Sequence, residues 1–324
     1  MSAARAPLRL ALVLPCYNEE AVLAETIARL QSVMARLHAQ GQISADSRMY
    51  FVDDGSRDRT WPLIAQASRE QPWVAGIKLS RNRGHQNALM AGLFTVPGDA
   101  VISLDADLQD DPDAIFAMVD AHLNGADVVY GVRHRRDTDT AFKRITARAF
   151  YRLMQALDVQ LVSGHADYRL LSRRALECLK DYREVNLVLR GIVPMIGLPS
   201  ARVYYDRAER FAGESKYPLR KMLSLAWDSI TSFSRFPLRV ISVMGFVIFM
   251  LSVLSSLRIV YVALFTDDAV PGWASTVLPM YLLGGIQLLS LGVIGEYIGK
   301  IFMEVKDRPR FNVEVVLDDS SRDG

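Results

Sequence analysis

The sequence predicts an α/β fold with a mostly parallel sheet, followed by an amphipathic helix and two long apolar segments. Three observations lead there. Short apolar runs rich in β-branched residues alternate with stretches of helical periodicity, which implies right-handed crossovers between parallel strands. Polar clusters follow several of those runs, where α/β proteins carry their chemistry. Uncharged residues then gather in the last third of a chain of 324 residues, long enough for one large domain or two smaller ones.

The run LALVL at 10–14 ends at Pro15 and reads as a buried parallel strand. Asn18 is expected to cap a helix whose apolar positions Leu23, Ile27, Leu30, Met34 and Leu37 recur at helical spacing. YFV at 50–52 predicts a second strand running into Asp53–Asp54–Gly55–Ser56, GIKL at 76–79 a third, VISL at 101–104 a fourth and DVVY at 127–130 a fifth. From Leu219 onward, Met222, Leu223, Ala226, Ile230 and Phe233 share one helical face behind Arg220 and Lys221. This reads as a helix lying on a membrane surface, with a docked globular helix as the alternative. In the tail, FNVEVV at 311–316 alternates as a strand does and is a candidate for pairing with another subunit. The closing DDSSRDG is expected to be disordered.

The most acidic of the polar clusters is LDADLQDDP at 104–112, after the fourth predicted strand. Were the chain to stay extended, Asp105 and Asp107 would share a face. Two carboxylates with the amide oxygen of Gln109 suit a hard divalent cation that also ligates phosphates. The alternative is an acidic loop that starts the next helix at Asp111–Pro112–Asp113.

A formal net charge of +2 from 38 basic and 36 acidic residues argues against a nucleic-acid protein relying on bulk basicity. Cys16 and Cys178 are the only cysteines, so neither a disulfide framework nor a cysteine metal site is supported, and a reducing compartment is expected. No cleaved signal peptide is apparent. Residues 240–257 form an uncharged run of 18, and 27 uncharged residues lie between Asp268 and Glu296. Two spans are therefore expected, near 237–265 and 273–302. Arg235 and Arg239 precede the first, while Lys300, Lys306, Arg308 and Arg310 follow the second. The positive-inside rule then places both termini in the cytoplasm, as in a multi-pass inner-membrane protein. Two buried core helices are the alternative.

No Gly-x-Gly-x-x-Gly fingerprint or Walker-type phosphate loop is present, which disfavours a nicotinamide enzyme or a P-loop kinase. In their order, VLPCYNEE at 13–20, VDDGSRDRT at 52–60, LSRNRGHQNALMAGL at 79–93 and LDADLQDDP resemble the motifs of family-2 inverting glycosyltransferases with the GT-A fold. GESKYPL at 213–219, followed by two predicted spans, narrows the resemblance to polyprenyl-phosphate glycosyltransferases such as bactoprenol glucosyltransferases and dolichol-phosphate mannose synthases. It extends over about residues 8–310. The domain division that follows is a GT-A catalytic domain at 1–215, a juxtamembrane helix at 216–236, two spans at 237–303 and a cytoplasmic tail at 304–324.

The resemblance implies roles by position. Pro15, Tyr17 and Glu19 line the donor nucleotide pocket and Asp54 contacts the base; Asp53 either braces the turn or touches the ligand. Asp105 lies near the ribose and diphosphate, and with it Asp107 and Gln109 hold Mg2+ or Mn2+. His85 either reaches the donor or packs its loop. Arg133, Arg135 and Arg136 follow the fifth strand, and Arg210, Ser215 and Lys216 precede the surface helix. Arginine forks and a lysine of this kind suit a lipid phosphate and the donor diphosphate, and the resemblance implies that Arg210 and Lys216, with Asp107, act in catalysis. Asp167, in HADYRLL at 165–171, matches the position of the fold's catalytic carboxylate. It stands as base, as an orienting group for Arg210 or Arg169, or as a salt-bridge partner of Arg169.

A lipid monophosphate, with a second pKa of about 6, is largely an oxyanion near neutral pH, so a strong general base is not obligatory. The expected reaction is inverting, metal-dependent transfer of a hexose from a nucleotide-diphosphate sugar to polyprenyl phosphate. UDP-glucose is the first donor, with GDP-mannose and a UDP-aminoarabinose type as alternatives, and the family suggests a homo-oligomer, with a tetramer as its form. A processive polysaccharide synthase would carry Gln-x-x-Arg-Trp and more spans. An inactive membrane scaffold would lose members of the acidic set, yet Asp54, Asp105, Asp107 and Asp167 are all present.

Overall fold

The apolar run at residues 10–14 extends into β1, Leu10–Cys16, every residue of which is buried in the interior of an eight-stranded sheet. Such burial on both faces is what an uninterrupted apolar run without alternation encodes. The computed structural model describes residues 6–133, 165–182, 189–206 and 273–318, with scattered positions between 238 and 265. Two compact units divide the chain: Met1–Arg152 with Gln160–Lys216 and Pro309–Gly324, and Leu153–Val159 with Tyr217–Arg308.

In the first unit, α1 (Leu23–Ala39) buries Leu23, Thr26, Ile27, Leu30, Val33, Met34 and Leu37, the helical stripe expected from their spacing. It is followed by β2 (Arg48–Asp53), α2 (Thr60–Glu70), β3 (Val74–Leu79), α3 (His85–Thr95) and β4 (Ala100–Ser103). Then come α4 (Ala114–Leu123), β5 (Val128–Arg133), β6 (His165–Ser172), α5 (Arg173–Lys180), α6 (Leu189–Met195), β7 (Ser200–Tyr205) and β8 (Val313–Leu317). The sheet order is β7-β5-β6-β4-β1-β2-β3-β8. β4, β1, β2 and β3 run parallel, as do β5 and β7, whereas β6 lies antiparallel between β4 and β5.

Helix α3 sits so close to β1 and β2 that a Cβ on Gly92 would lie 2.9 Å from Val52 Cγ2 and closer still to Val13 Cγ1. Only glycine permits that approach, which brings the N-terminal end of α3 to the carboxyl edge of the sheet.

Several expectations are corrected. Asn18 does not cap α1, whose N-cap is Val22; its backbone has φ 55° and its Oδ1 accepts the Arg57 N–H at 2.8 Å. Asparagine tolerates that left-handed conformation, so it locks two loops together instead. The chain does not stay extended through Asp105–Asp107, because β4 ends at Ser103, residues 106–107 turn, and Leu108 has φ 56°. The tail strand β8 pairs antiparallel with β3 of its own chain. Lys78 and Glu314 pair across it at 3.1 Å, and Tyr50 donates to Asp318 at 2.9 Å.

The multi-pass inner-membrane assignment is also corrected. Among the described residues, no helix is long and apolar enough to cross a membrane. In the second unit, α7 (Trp273–Val305) covers the second expected span, with Pro279 within it, and it carries Glu296, Lys300 and Glu304. A stretch without charge is a weaker condition than a span, which needs about 20 predominantly apolar residues in one helix. Most of the first expected span and the surface helix at 216–236 lie outside the described residues.

Candidate active site

The carboxyl ends of β1, β2 and β4 and the start of α3 converge on one edge of the sheet, and the predicted site residues collect there. Pro15 is buried within β1, while Tyr17, 40% exposed, and the half-buried Glu19 follow it. The loops after β1 and β2 are interlocked. Asn18 N–H donates to Ser56 Oγ at 3.0 Å, Glu19 N–H to Thr60 Oγ1 at 2.9 Å and Glu20 N–H to Asp58 Oδ2 at 3.2 Å. Each backbone donor thus finds a side-chain acceptor, which sets the rim before any ligand arrives.

The Asp53–Asp54 pair divides its tasks. Asp54 is buried, and its two oxygens accept the N–H groups of Arg83 at 2.6 Å and Gly84 at 2.8 Å, which braces the turn into α3. Gly55 is required there: its φ is 67°, and a Cβ would lie 2.6 Å from Asn82 N. Asp53 accepts the Ser56 N–H through Oδ1 at 3.2 Å, whereas its Oδ2 is buried with no hydrogen-bond partner among the described residues. Burial raises the pKa of both carboxyls above the ordinary range.

At the centre stands His85, the first residue of α3. Its Nε2 lies 3.6 Å from Asp105 Oδ1 and 3.5 Å from Asp167 Oδ2. Asp167 is a hub on β6. Arg169, two residues along the same face, donates to Oδ1; Gln86 Nε2 donates to Oδ2 at 3.1 Å; and the Arg190 guanidinium meets the carboxylate at 3.3 and 3.4 Å. Ser103 at the end of β4 donates its hydroxyl to the Asp167 carbonyl oxygen.

These contacts set the charge states. Burial works to raise the Asp167 pKa, but the His85 hydrogen bond and the charges of Arg169 and Arg190 outweigh it and hold the carboxyl well below the usual range. The bond to Asp167 raises the pKa of His85 against the effect of burial, and Asp105 adds to the rise. Burial also raises the pKa of Asp105, and the negative charges of Asp110, Asp107 and Asp167 add to that while His85 opposes it. Asp167 is thus a fixed anion in a cationic nest, and Asp105 belongs to an acidic cluster short of positive charge.

The rest of the acidic loop is anchored. Gln109 is buried and its N–H donates to Asp107 Oδ1 at 3.2 Å. Asp110 accepts Tyr205 Oη at 2.6 Å and Arg133 at 3.0 Å, through Oδ1 in both cases. This contact ties the loop to the ends of β5 and β7. Arg133 is therefore placed by an internal carboxylate, with its side chain 31% exposed. No group of three or more His, Cys, Asp or Glu side chains among the described residues is arranged to hold a metal ion. Arg136, Arg210, Ser215 and Lys216 lie outside the described residues.

Sequence reasoning missed Arg190, Gln86, Asp110 and Tyr205. A signal existed for the first: Arg190 is the single charge in VNLVLRGIVPMIG at 185–197, where it interrupts an otherwise apolar run.

An α/β unit with a mostly parallel sheet, interlocked loops and an acidic cluster at its carboxyl edge is the form of a GT-A glycosyltransferase. Residues 11–180 match the family described as Glycosyl transferase family 2, and the chain belongs to that family of enzymes. It is 50% identical over 310 residues to the uncharacterized glycosyltransferase YkoT of Bacillus subtilis (strain 168), covering 95% of this chain and 92% of that one. It is 36% identical over 311 residues to the bactoprenol glucosyl transferase of Shigella phage SfII, covering 95% and 98% of the two chains. The solved structure of glucosyl-3-phosphoglycerate synthase from Mycobacterium tuberculosis with Mn2+, UDP-glucose and phosphoglyceric acid is 20% identical, with a TM-score of 0.41 over 69% of this chain and 78% of that one.

Proposed function

We propose that this glycosyltransferase moves a hexose from a nucleotide-diphosphate sugar, UDP-glucose first, to polyprenyl phosphate with inversion at the anomeric carbon. The observation that carries the reading is the charge arrangement around His85, with the acidic Asp105 cluster on one side and Asp167 with its guanidinium groups on the other. An enzyme joining a diphosphate donor to a phosphate acceptor needs a place for a cation and a place for an anion side by side. The similarity to a bactoprenol glucosyl transferase along nearly the whole of both chains supports the lipid acceptor.

In the reaction an acceptor phosphate oxygen attacks the anomeric carbon, and the bond from that carbon to the diphosphate oxygen breaks. The acceptor already carries the charge it needs near neutral pH. Asp167 suits an orienting role, because a carboxylate held by His85, Arg169, Gln86 and Arg190 has little affinity left for a proton. Pro15, Tyr17, Glu19 and Asp54 bound the nucleotide pocket, and Arg133, Arg136, Arg210, Ser215 and Lys216 serve the phosphates. Asp105, Asp107 and the Gln109 amide fit a partial set of hard oxygen ligands. Mg2+ takes one or two carboxylates and completes its shell with substrate phosphates, so a cage made only of protein groups is not needed. When bound, that ion neutralises charge on the departing diphosphate.

The test uses purified protein in detergent with undecaprenyl phosphate and radiolabelled UDP-glucose, GDP-mannose and a UDP-aminoarabinose donor. Metal-stimulated labelling of the lipid by UDP-glucose is the expected outcome. Preference for another donor replaces the sugar, and no transfer from any donor defeats the reading.

A further inference from the structure

Arg169 is completely buried, and Asp167 is the acceptor of its hydrogen bond. A guanidinium without water requires a full counter-charge, and Asp167 supplies one. The same carboxylate also meets Arg190, whose side chain is 49% exposed, through long contacts of 3.3 and 3.4 Å. One carboxylate facing two guanidinium groups leaves a positive surplus, and the surplus falls on the exposed member. Through His85 this cation lies next to the acidic cluster at Asp105. Asp167 engages Nε and one terminal nitrogen of Arg190, so the second terminal nitrogen lies outside the pairing.

We propose that Arg190 is a phosphate-binding residue of this site, with Asp167 as the positioning residue that aims it. The ligand is a substrate phosphoanion, either the acceptor monophosphate or the donor diphosphate. A planar fork fixed on one edge by a carboxylate presents its other edge with little loss of side-chain freedom on binding. The inference rests on the proposed transfer reaction for its choice of substrates.

The experiment compares wild type, Arg190→Gln and Arg190→Lys. Initial rates are measured against each substrate in turn, and calorimetric binding of UDP with Mg2+ and of farnesyl phosphate is measured separately. Loss of one charge-assisted contact is expected to weaken binding of one anion by about tenfold or more in Arg190→Gln, with partial recovery in Arg190→Lys. A KM effect confined to the polyprenyl phosphate identifies the acceptor phosphate as the ligand, and one confined to the nucleotide sugar identifies the diphosphate. Binding and both KM values within about twofold of wild type overturn the inference, as does a fall in kcat alone. If Arg190→Gln fails to fold, Arg190→Lys decides, since it keeps the charge and removes the fork. Arg190-dependent anion binding in a protein that transfers no sugar leaves this inference standing and removes the reaction it was drawn from. Absence of binding by wild type to either anion overturns it.

Discussion

Tyr205 donates its hydroxyl to Asp110 Oδ1 at 2.6 Å, joining the last residue of β7 to the loop that follows β4. Arg133 donates to the same oxygen at 3.0 Å from the end of β5. The pair holds the acidic loop against the far side of the sheet, and burial with the nearby Asp110 charge raises the Tyr205 pKa. Tyr205→Phe removes two hydrogen bonds to charged groups, the one donated to Asp110 and the one accepted from Arg133 Nε at 3.2 Å, at an expected cost of at least about 1.5 to 3 kcal/mol measured by denaturant unfolding. Transfer activity should fall with it, because the loop carrying Asp105 and Asp107 loses an anchor.

Asp107→Ala tests the cation. In a metal titration of the transfer reaction, the variant should lose most of the stimulation by Mg2+ or Mn2+. Its unfolding midpoint should stay near wild type, since Asp107 lies on an irregular turn and not in the core. Undiminished metal dependence would remove Asp107 from the ligand set.

The depressed pKa of Asp167 fixes the sign of a pH effect. Its unfolded value is about 3.9, so the stability it contributes is fully present above that pH and is lost as pH falls toward the lower folded value. The rate profile should therefore show no acid limb from Asp167 above about pH 4, and a limb near pH 6 belongs to the acceptor phosphate. Asp167→Asn leaves the Arg169 charge buried without a counter-ion and should cost about 3 to 5 kcal/mol. Asp167→Asn/Arg169→Met should recover part of that loss in unfolding experiments while activity stays low.

Gly92→Ala tests the seating of α3. The added methyl would press on Val13 and Val52, and the expected destabilisation is about 1 to 3 kcal/mol. Activity should fall as well, since α3 carries His85 and Gln86 into the site.

The predicted strands were legible because their residues are buried on both faces, and a continuous apolar run has little else to do in a chain of this kind. β6 was not, because HADYRLLS carries Asp167 and Arg169 through the interior, and charge reads locally as surface. β7 escaped notice because its residues alternate between exposed and half-buried until Tyr205. In the site, carboxylates at strand ends could be found from spacing alone. What they touch could not: Arg190 reaches Asp167 across 23 positions and Asp110 meets Tyr205 across 95, separations on which local periodicity is silent.

The edge of β3 is shut by a strand made long after it. Lys78 and Glu314, which face each other across that pairing, are 236 positions apart. At ribosomal speeds of about 5 to 20 residues per second, the interval is on the order of 10 to 50 s. Throughout it the nascent chain displays β3 with a row of unanswered backbone donors and acceptors, the template on which foreign strands assemble. A product of premature termination before Val313 leaves the ribosome in that state permanently. Only a chain translated through Leu317 closes that edge of the sheet.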